Sequence, residues 1–270
     1  MNDKKIHNAP RLNKILAIIE EHGACSQDEL AKLFDVSVQT IRRDFATLRN
    51  SNLINVKSGV AYINHADTII NTDFSMRQTT HMAEKEAIAL RIARDIQDGS
   101  TIFLTAGTTI EKIAAALLNK KDLTVITSSI RVANILCSSE TINVFIPKGK
   151  IRNNNGAIIG SSVVEDISQF HADYTITSVG AITEEGVLLE YNIDDVAIAR
   201  TMIGQSEKLI VATDYSKFSR KAAVVLCKPS SIDAIYCDQY PSAELQRTLE
   251  DNGVIFNKVD VLINIEGVDS

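Results

Sequence analysis

The chain has 270 residues, 45% hydrophobic and 23% charged, which suits two folded domains of unequal size and excludes wholesale disorder. No apolar run approaches the ~20 residues that span a bilayer, and residues 1–5 lead into no apolar signal segment, so a cytoplasmic protein with no membrane partner is expected. The net charge of −6 excludes indiscriminate nucleic-acid binding, yet residues 1–66 hold nine Lys/Arg against seven Asp/Glu while the rest hold nineteen against twenty-seven, a mildly basic head on an acidic body.

The four cysteines (Cys25, Cys137, Cys227, Cys237) and five histidines are scattered without close ligand spacing, so neither a metal nor a cofactor is expected. In the head, Leu12, Ile15, Leu16 and Ile19 recur at i, i+3, i+4 and i+7 and predict an amphipathic helix over residues 11–21, ended by Gly23. Ser26-Gln27-Asp28-Glu29 has capping-box form and opens a second short helix with Leu30, Leu33 and Phe34 as its buried face. Asp35-Val36 makes a tight turn, and Ser37 caps a third helix that starts at Val38.

That third helix carries the chemistry. Ile41, Phe45 and Leu48 lie at i, i+4 and i+7 and should face the first two helices. Ser37, Val38, Gln39, Arg42 and Arg43 then occupy its early turns, off the apolar stripe. A recognition helix needs this layout, with N-terminal residues at base edges and cations at phosphates. Gln suits adenine and Arg suits guanine, each by two hydrogen bonds. Asp44 is expected to orient one of the arginines. Two β-like runs, residues 53–56 and 60–63, are joined by Lys57-Ser58-Gly59 as a hairpin, which makes a winged helix with Lys57 at the wing tip. An arginine pair alone usually belongs to a solvated face, but its place on this helix beside a wing favours double-stranded DNA as partner.

Residues 1–64 thus read as a winged helix-turn-helix domain and 65–82 as a linker with a docking point at Phe74. Residues 83–270 read as an α/β effector-binding and oligomerisation domain. In this last part, helical and strand-like segments alternate. Strand-like runs fall at residues 101–104, 123–127, 142–146, 173–177, 208–212, 222–227 and 232–236, with further ones near 254–256 and 261–265. Helices are expected at 111–118, 131–136, 194–205 and 243–252. The alternation argues for βαβ units in an open, mostly parallel sheet. Ligands of such sheets bind outside the carboxyl ends of the strands, where this chain has Gly107-Thr108-Thr109, Thr127-Ser128-Ser129, Lys148-Gly149 and Lys217. Hydroxyls, close-approach glycines and cations at helix starts suit a small phosphorylated metabolite.

The run over residues 29–48, with Val36-Ser37-Val38-Gln39-Thr40-Ile41-Arg42-Arg43-Asp44 at its heart, resembles the N-terminal signature of the DeoR family of bacterial sugar-metabolism regulators. Phe74-Ser75-Met76-Arg77, the Gly107-Thr108-Thr109 and Thr127-Ser128-Ser129 turns, and Asp214 with Ser216-Lys217-Phe218 extend the resemblance over nearly the whole chain. It implies a sensor similar in fold to ribose-5-phosphate isomerase, a phosphorylated-sugar effector, a homodimer or homotetramer, and a repressor released when effector repositions paired heads. Four departures stand out. Thr105 replaces the family's usual Asp, Ser128 its Asn, Lys148-Gly149 its Gly-Gly pair, and Lys57-Ser58-Gly59 the Gly-Gly of its wing. An alternative is retained isomerase-like chemistry, with Glu190 as general base and Lys217 stabilising negative charge. Thr105 cannot replace a carboxylate, which leaves Glu190 as an acceptor for ligand hydroxyls or a solvated loop residue and the chain as a non-enzyme. A constitutive architectural DNA binder with a merely dimerising body is the third possibility.

Overall fold

A computed structural model describes residues 9–22, 24–50, 53–57, 59–63 and 74–261. The chain forms two compact units, Met1–Thr80 and His81–Ser270.

The first unit opens with α1 (Ala9–His22), β1 (Ala24–Ser26), α2 (Gln27–Leu33) and α3 (Val38–Asn50), followed by β2 (Ile54–Lys57) and β3 (Val60–Ile63). Ile15 and Ile19 of α1, Leu30 of α2, and Ile41, Phe45 and Leu48 of α3 close on one another with Ile54 and Ala61 of the hairpin. Burial of this stripe, rather than intrinsic propensity, holds such short helices. The Ser26–Glu29 capping box forms in both directions. Leu33, expected in the buried face, is 65% exposed. Helix α2 ends there, and half-buried Phe34, four residues after Leu30, takes the inner position instead.

The hairpin is the wing, and β1 pairs with β3 to make a three-stranded antiparallel sheet in the order β1-β3-β2. Within the stretch read as linker stands a helix, α4 (Phe74–Thr79). Phe74 is buried, with the Arg77 guanidinium 5.5 Å from its ring centroid, and Asn13 of α1 donates to the Thr79 hydroxyl at 2.7 Å.

The second unit begins with α5 (Met82–Asp95), β4 (Thr101–Leu104), α6 (Thr108–Leu117), β5 (Thr124–Thr127), α7 (Ile130–Leu136) and β6 (Asn143–Phe145). A small hairpin, β7 (Lys150–Ile151) and β8 (Ile158–Ile159), leads to α8 (Ser161–Ile167) and β9 (Ala172–Thr177). Then come β10 (Ala181–Ile182), β11 (Leu188–Glu190), α9 (Ile193–Gly204), β12 (Ser206–Ala212), β13 (Val224–Cys227), β14 (Ala234–Cys237), α10 (Ala243–Asp251) and β15 (Ile255–Lys258). Seven strands form one sheet in the order β15-β14-β12-β9-β4-β5-β6, every pair parallel.

Strand side chains alternate between its faces. Ile102 and Leu104 pack with Ile88, Ile92, Ile110 and Ile113 from α5 and α6, while Phe103 packs with Val163, Ile167, Ile198 and Met202 from α8 and α9. Burial on both sides explains why the strands read as continuous apolar runs.

Residues 222–227 do not join this sheet. Their strand β13 pairs antiparallel with β11 in a small separate sheet, β10-β11-β13. Arg200 of α9 donates to the carbonyls of Val225 and Leu226 at 2.7 and 2.9 Å, so this edge has a side-chain partner rather than another strand. Of the strand expected at 261–265, residues 262–265 lie outside the described residues.

The chain steps from β4 to β5 and β6 on one side, and returns to β9 on the other side of β4. This reversal of strand order puts a topological switch point at the carboxyl ends of β4 and β9, the place where sheets of this kind bind ligands.

Candidate functional site

Helix α3 presents its early turns as its pattern requires. Ile41, Phe45 and Leu48 are buried, while Ser37, Gln39, Arg42 and Arg43 are exposed and Val38 and Thr40 half-buried. The Ser37 hydroxyl accepts the Thr40 N–H at 3.2 Å and shares a 2.9 Å hydrogen bond with the Thr40 hydroxyl. These two side chains therefore fix the helix start, and Gln39, Arg42 and Arg43 offer polar groups outward.

Asp44 does not orient either arginine of α3. It is buried, and its carboxylate receives Arg11 of α1 through two hydrogen bonds of 2.7 and 3.1 Å. The pair clamps α1 to the recognition helix and leaves Arg42 and Arg43 with their charge uncancelled by Asp44. Asp44 is three residues from Ile41 and so shares its inner side, a position that the adjacency of the Arg-Arg-Asp run conceals. The wing turn is reached through Gly59, whose φ of +80° falls where glycine is favoured. Lys57 ends β2 opposite Val60, and its side chain is outside the described part.

In the second unit, helices that connect parallel strands run back against them, so α6, α7 and α9 all begin at the carboxyl end of the sheet. Gly107 precedes α6, and a β-carbon there would lie 2.6 Å from the Ser178 hydroxyl, which follows β9. Its φ of 164° is extended, so the demand is for space rather than for backbone freedom. Thr105 at the end of β4 shares a 3.0 Å hydrogen bond with Thr177 at the end of β9. Thr108 is half-buried and Thr109 buried in the first turn of α6. Thr127, Ser128 and Ser129 follow on the neighbouring strand end, all buried. The Ser129 hydroxyl caps α7 by accepting the Val132 N–H, and the Thr127 hydroxyl accepts the Ser129 N–H.

On the other side of β9, β12 is followed by Thr213-Asp214. Burial works to raise the Asp214 carboxyl, but Lys217, His81, the Ser216 hydroxyl and Arg220 outweigh it and hold the group down at about 2. Asp238, at the end of β14, is buried and accepts the Tyr215 N–H at 2.8 Å. Sequence reasoning passed over Ser178 and Asp238 as site residues. Only the strand order, which puts β9 beside β4 and β14 beside β12, brings them to this edge.

Lys148 and Glu190 make other contacts. Lys148 follows the edge strand β6; its side chain is 82% exposed and its ammonium lies 3.2 Å from Asp166. The neighbouring Gly149 is needed for packing, since a β-carbon would come within 2.8 Å of Val163 and of the Ile159 carbonyl. Glu190 ends β11, with its carboxylate accepting the Tyr191 N–H at 3.1 Å. The Tyr191 hydroxyl in turn donates to Gly180 at 3.3 Å, two residues beyond Ser178.

The β7–β8 hairpin is built onto the Ser128-Ser129 strand end: Ile158 donates to the Ser128 carbonyl at 2.6 Å, and Ile130 to the Gly156 carbonyl at 3.0 Å. From this hairpin Arg152 reaches Asp195 in the first turn of α9 at 2.8 Å. Among the described residues there is no cluster of three metal-ligating side chains, and no helix is long and apolar enough to cross a membrane.

Residues 11–66 match the DeoR-like helix-turn-helix domain and residues 80–239 the DeoR C terminal sensor domain. The HTH-type transcriptional repressor CsqR of Escherichia coli is 40% identical over 91% of this chain and 93% of its own length. The Glycerol-3-phosphate regulon repressor of the same organism is 36% identical over 90% and 96%. Among solved structures, ribose 5-phosphate isomerase from Plasmodium falciparum is similar over 50% of this chain and 52% of its own, at 17% identity and a TM-score of 0.38. With a winged helix ahead of a parallel α/β sensor and relatives that match along nearly their whole length, the chain belongs to the DeoR family of DNA-binding transcriptional regulators.

Proposed function

We propose that this regulator is an operator-binding repressor of genes for carbohydrate metabolism, released by a small phosphorylated metabolite bound at the carboxyl ends of β4, β5, β9 and β12. The observation that carries the reading is the strand-order reversal at β4 and β9, with the residues it brings to one edge. Gly107 opens helix α6 with no side chain between its backbone and Ser178, and free N–H groups at a helix start favour an anion. Thr105 and Thr108 flank that start in sequence, and Thr127 ends and Ser128 follows the adjacent strand β5, a hydroxyl-rich set suited to a sugar. Asp214 and Lys217 add a carboxylate and a cation at the next strand end. Lys148 is better suited to hold Asp166 than to reach this edge. The name of the glycerol-3-phosphate regulon repressor points the same way, toward phosphorylated small molecules.

A regulatory rather than catalytic sensor is supported by Thr105, whose hydroxyl cannot serve as an acid or base at neutral pH, and by Glu190, whose carboxylate accepts the N–H of the next residue. One winged helix spans a half-site, so a homo-oligomer that pairs two heads is part of the proposal, in the cytoplasm where operators are.

A thermal-shift screen against sugar phosphates, with the parent sugars and inorganic phosphate as controls, tests the reading. A ligand at a hundred times its dissociation constant adds about 2.7 kcal/mol of stability, and the shift should require the phosphate. Gly107→Ala should abolish it, with the ligand-free melting point recorded beside it because the new β-carbon must displace the Ser178 hydroxyl. A shift with the parent sugar alone, or one that survives in Gly107→Ala, would place the ligand elsewhere.

A further inference from the structure

Gln27 occupies the junction of three parts of the head. It is the first residue of α2, directly after β1. Its backbone N–H donates to the carbonyl of Gly59 in the wing turn at 2.9 Å, which extends the β1–β3 ladder by one rung. Its side-chain Oε1 accepts the Nε–H of Arg42 on the recognition helix at 3.0 Å. The capping box of Ser26 and Glu29 fixes the backbone on either side of it, with the Glu29 carboxylate accepting the Ser26 N–H at 2.8 Å. A short, braced backbone thus aims one amide oxygen at the side of one guanidinium.

We infer that Gln27 is a positioning residue for DNA reading, which holds Arg42 by Nε so that its two terminal nitrogens point outward as a fixed pair and ties that pair to the wing. The inference rests on α3 being the DNA-reading helix. Arginine has five N–H donors in a planar fork. When Nε is engaged by Gln27, the four N–H groups of Nη1 and Nη2 remain, and these match two acceptors on a guanine edge. An exposed arginine without such a brace must lose its rotamer freedom when it binds. Gln27 removes part of that loss beforehand, and because amide and guanidinium meet without a carboxylate, it does so without cancelling the positive charge. Asp44 would have cancelled it, but Asp44 is committed to Arg11. The same residue couples helix to wing, so a displacement of the wing turn is passed to Arg42 through the Gln27 backbone.

The test is a double-mutant cycle on the full-length protein, with a duplex selected by the wild-type chain from a randomised pool. Gln27→Met keeps the volume and helix propensity and removes the acceptor; Arg42→Ala removes what it holds. Operator affinity is measured by fluorescence anisotropy at a salt concentration low enough to follow every variant. Gln27→Met is expected to weaken operator binding roughly three- to tenfold, to leave affinity for unrelated DNA unchanged, and to have no further effect once Arg42 is Ala. Gln27→Glu, which restores an acceptor, should recover discrimination between the selected duplex and single-base variants opposite Arg42 even if its charge lowers overall affinity. Equal losses from Gln27→Met with and without Arg42 would reduce Gln27 to a structural role, and no loss in either background would overturn the inference. If neither Arg42→Ala nor Arg43→Ala affects operator binding, the assignment of α3 itself fails, a separate outcome.

Discussion

Two buried carboxylates show how single residues support the two units. Asp44 faces inward on a helix whose outer face carries two arginines, and only Arg11 makes that burial tolerable. Removing Arg11 strands the charge, and the penalty for an unpaired buried ion is about 3 kcal/mol or more. Arg11→Ala is therefore expected to destabilise the head by about that amount in urea unfolding, while replacing Arg11 and Asp44 together by Met and Leu recovers most of it. Equal instability in the single and double variants would mean that the pair is not the cause. Asp214 behaves differently, since its folded carboxyl sits at about 2 against an ordinary 3.8. A depressed acid stabilises the folded state above its unfolded value, and that contribution is lost as pH falls from near 4 through 2. The depression corresponds to about 2 kcal/mol. The stability gap between wild type and Asp214→Asn should be about that size at pH 7 and shrink below pH 4; a gap independent of pH would show that the charge of Asp214 is irrelevant to folding.

At the scale of elements, the β7–β8 hairpin is a clear case of structure held by a few named contacts. Its strands have two residues each, too short to stand alone. It is fastened to Ser128 by backbone hydrogen bonding and to α9 by the Arg152–Asp195 ion pair. Arg152→Ala should speed amide exchange at Arg152, Gly156 and Ile158, with α6 and the central strands unaffected; unchanged protection would mean that the backbone ladder alone suffices. The sequence made the helices and the central strands legible because each has one dominant buried face or two, as with Ile41, Phe45 and Leu48 or with Ile102, Phe103 and Leu104. It could not announce β1, whose three residues are a strand only because β3 lies beside them. Nor could it separate β13 from the main sheet, since an apolar run does not name its partner. The strand-end positions of the proposed site were legible in part for the same reason. Gly107 and Thr108 follow their own strand, so position along the chain was enough to select them. Ser178 stands beside Gly107 only because β9 returns next to β4, and the ion pair of Lys148 exists only because α8 brings Asp166 within reach.

For the whole molecule, the division of labour follows from chemistry that one unit cannot supply alone. The head offers an exposed helix face carrying Arg42 and Arg43 with a wing, and the sensor offers hydroxyl-rich strand ends and helix starts on an acidic body. On the proposed reading, the acidic sensor, at nineteen basic against twenty-seven acidic residues beyond position 66, would direct DNA to the head, and a small anionic effector would depend on local N–H groups and Lys217 rather than on overall charge. The most direct test of this account is to titrate the sugar phosphate found by thermal shift into a preformed complex of the full-length protein with its selected operator duplex, and to follow fluorescence anisotropy. The expected result is release of the duplex at a concentration close to the ligand's own dissociation constant, with no release by the parent sugar and none in Gly107→Ala. A ligand that binds the sensor yet leaves operator affinity unchanged would contradict it, because equal affinity for the free and DNA-bound protein cannot shift one into the other.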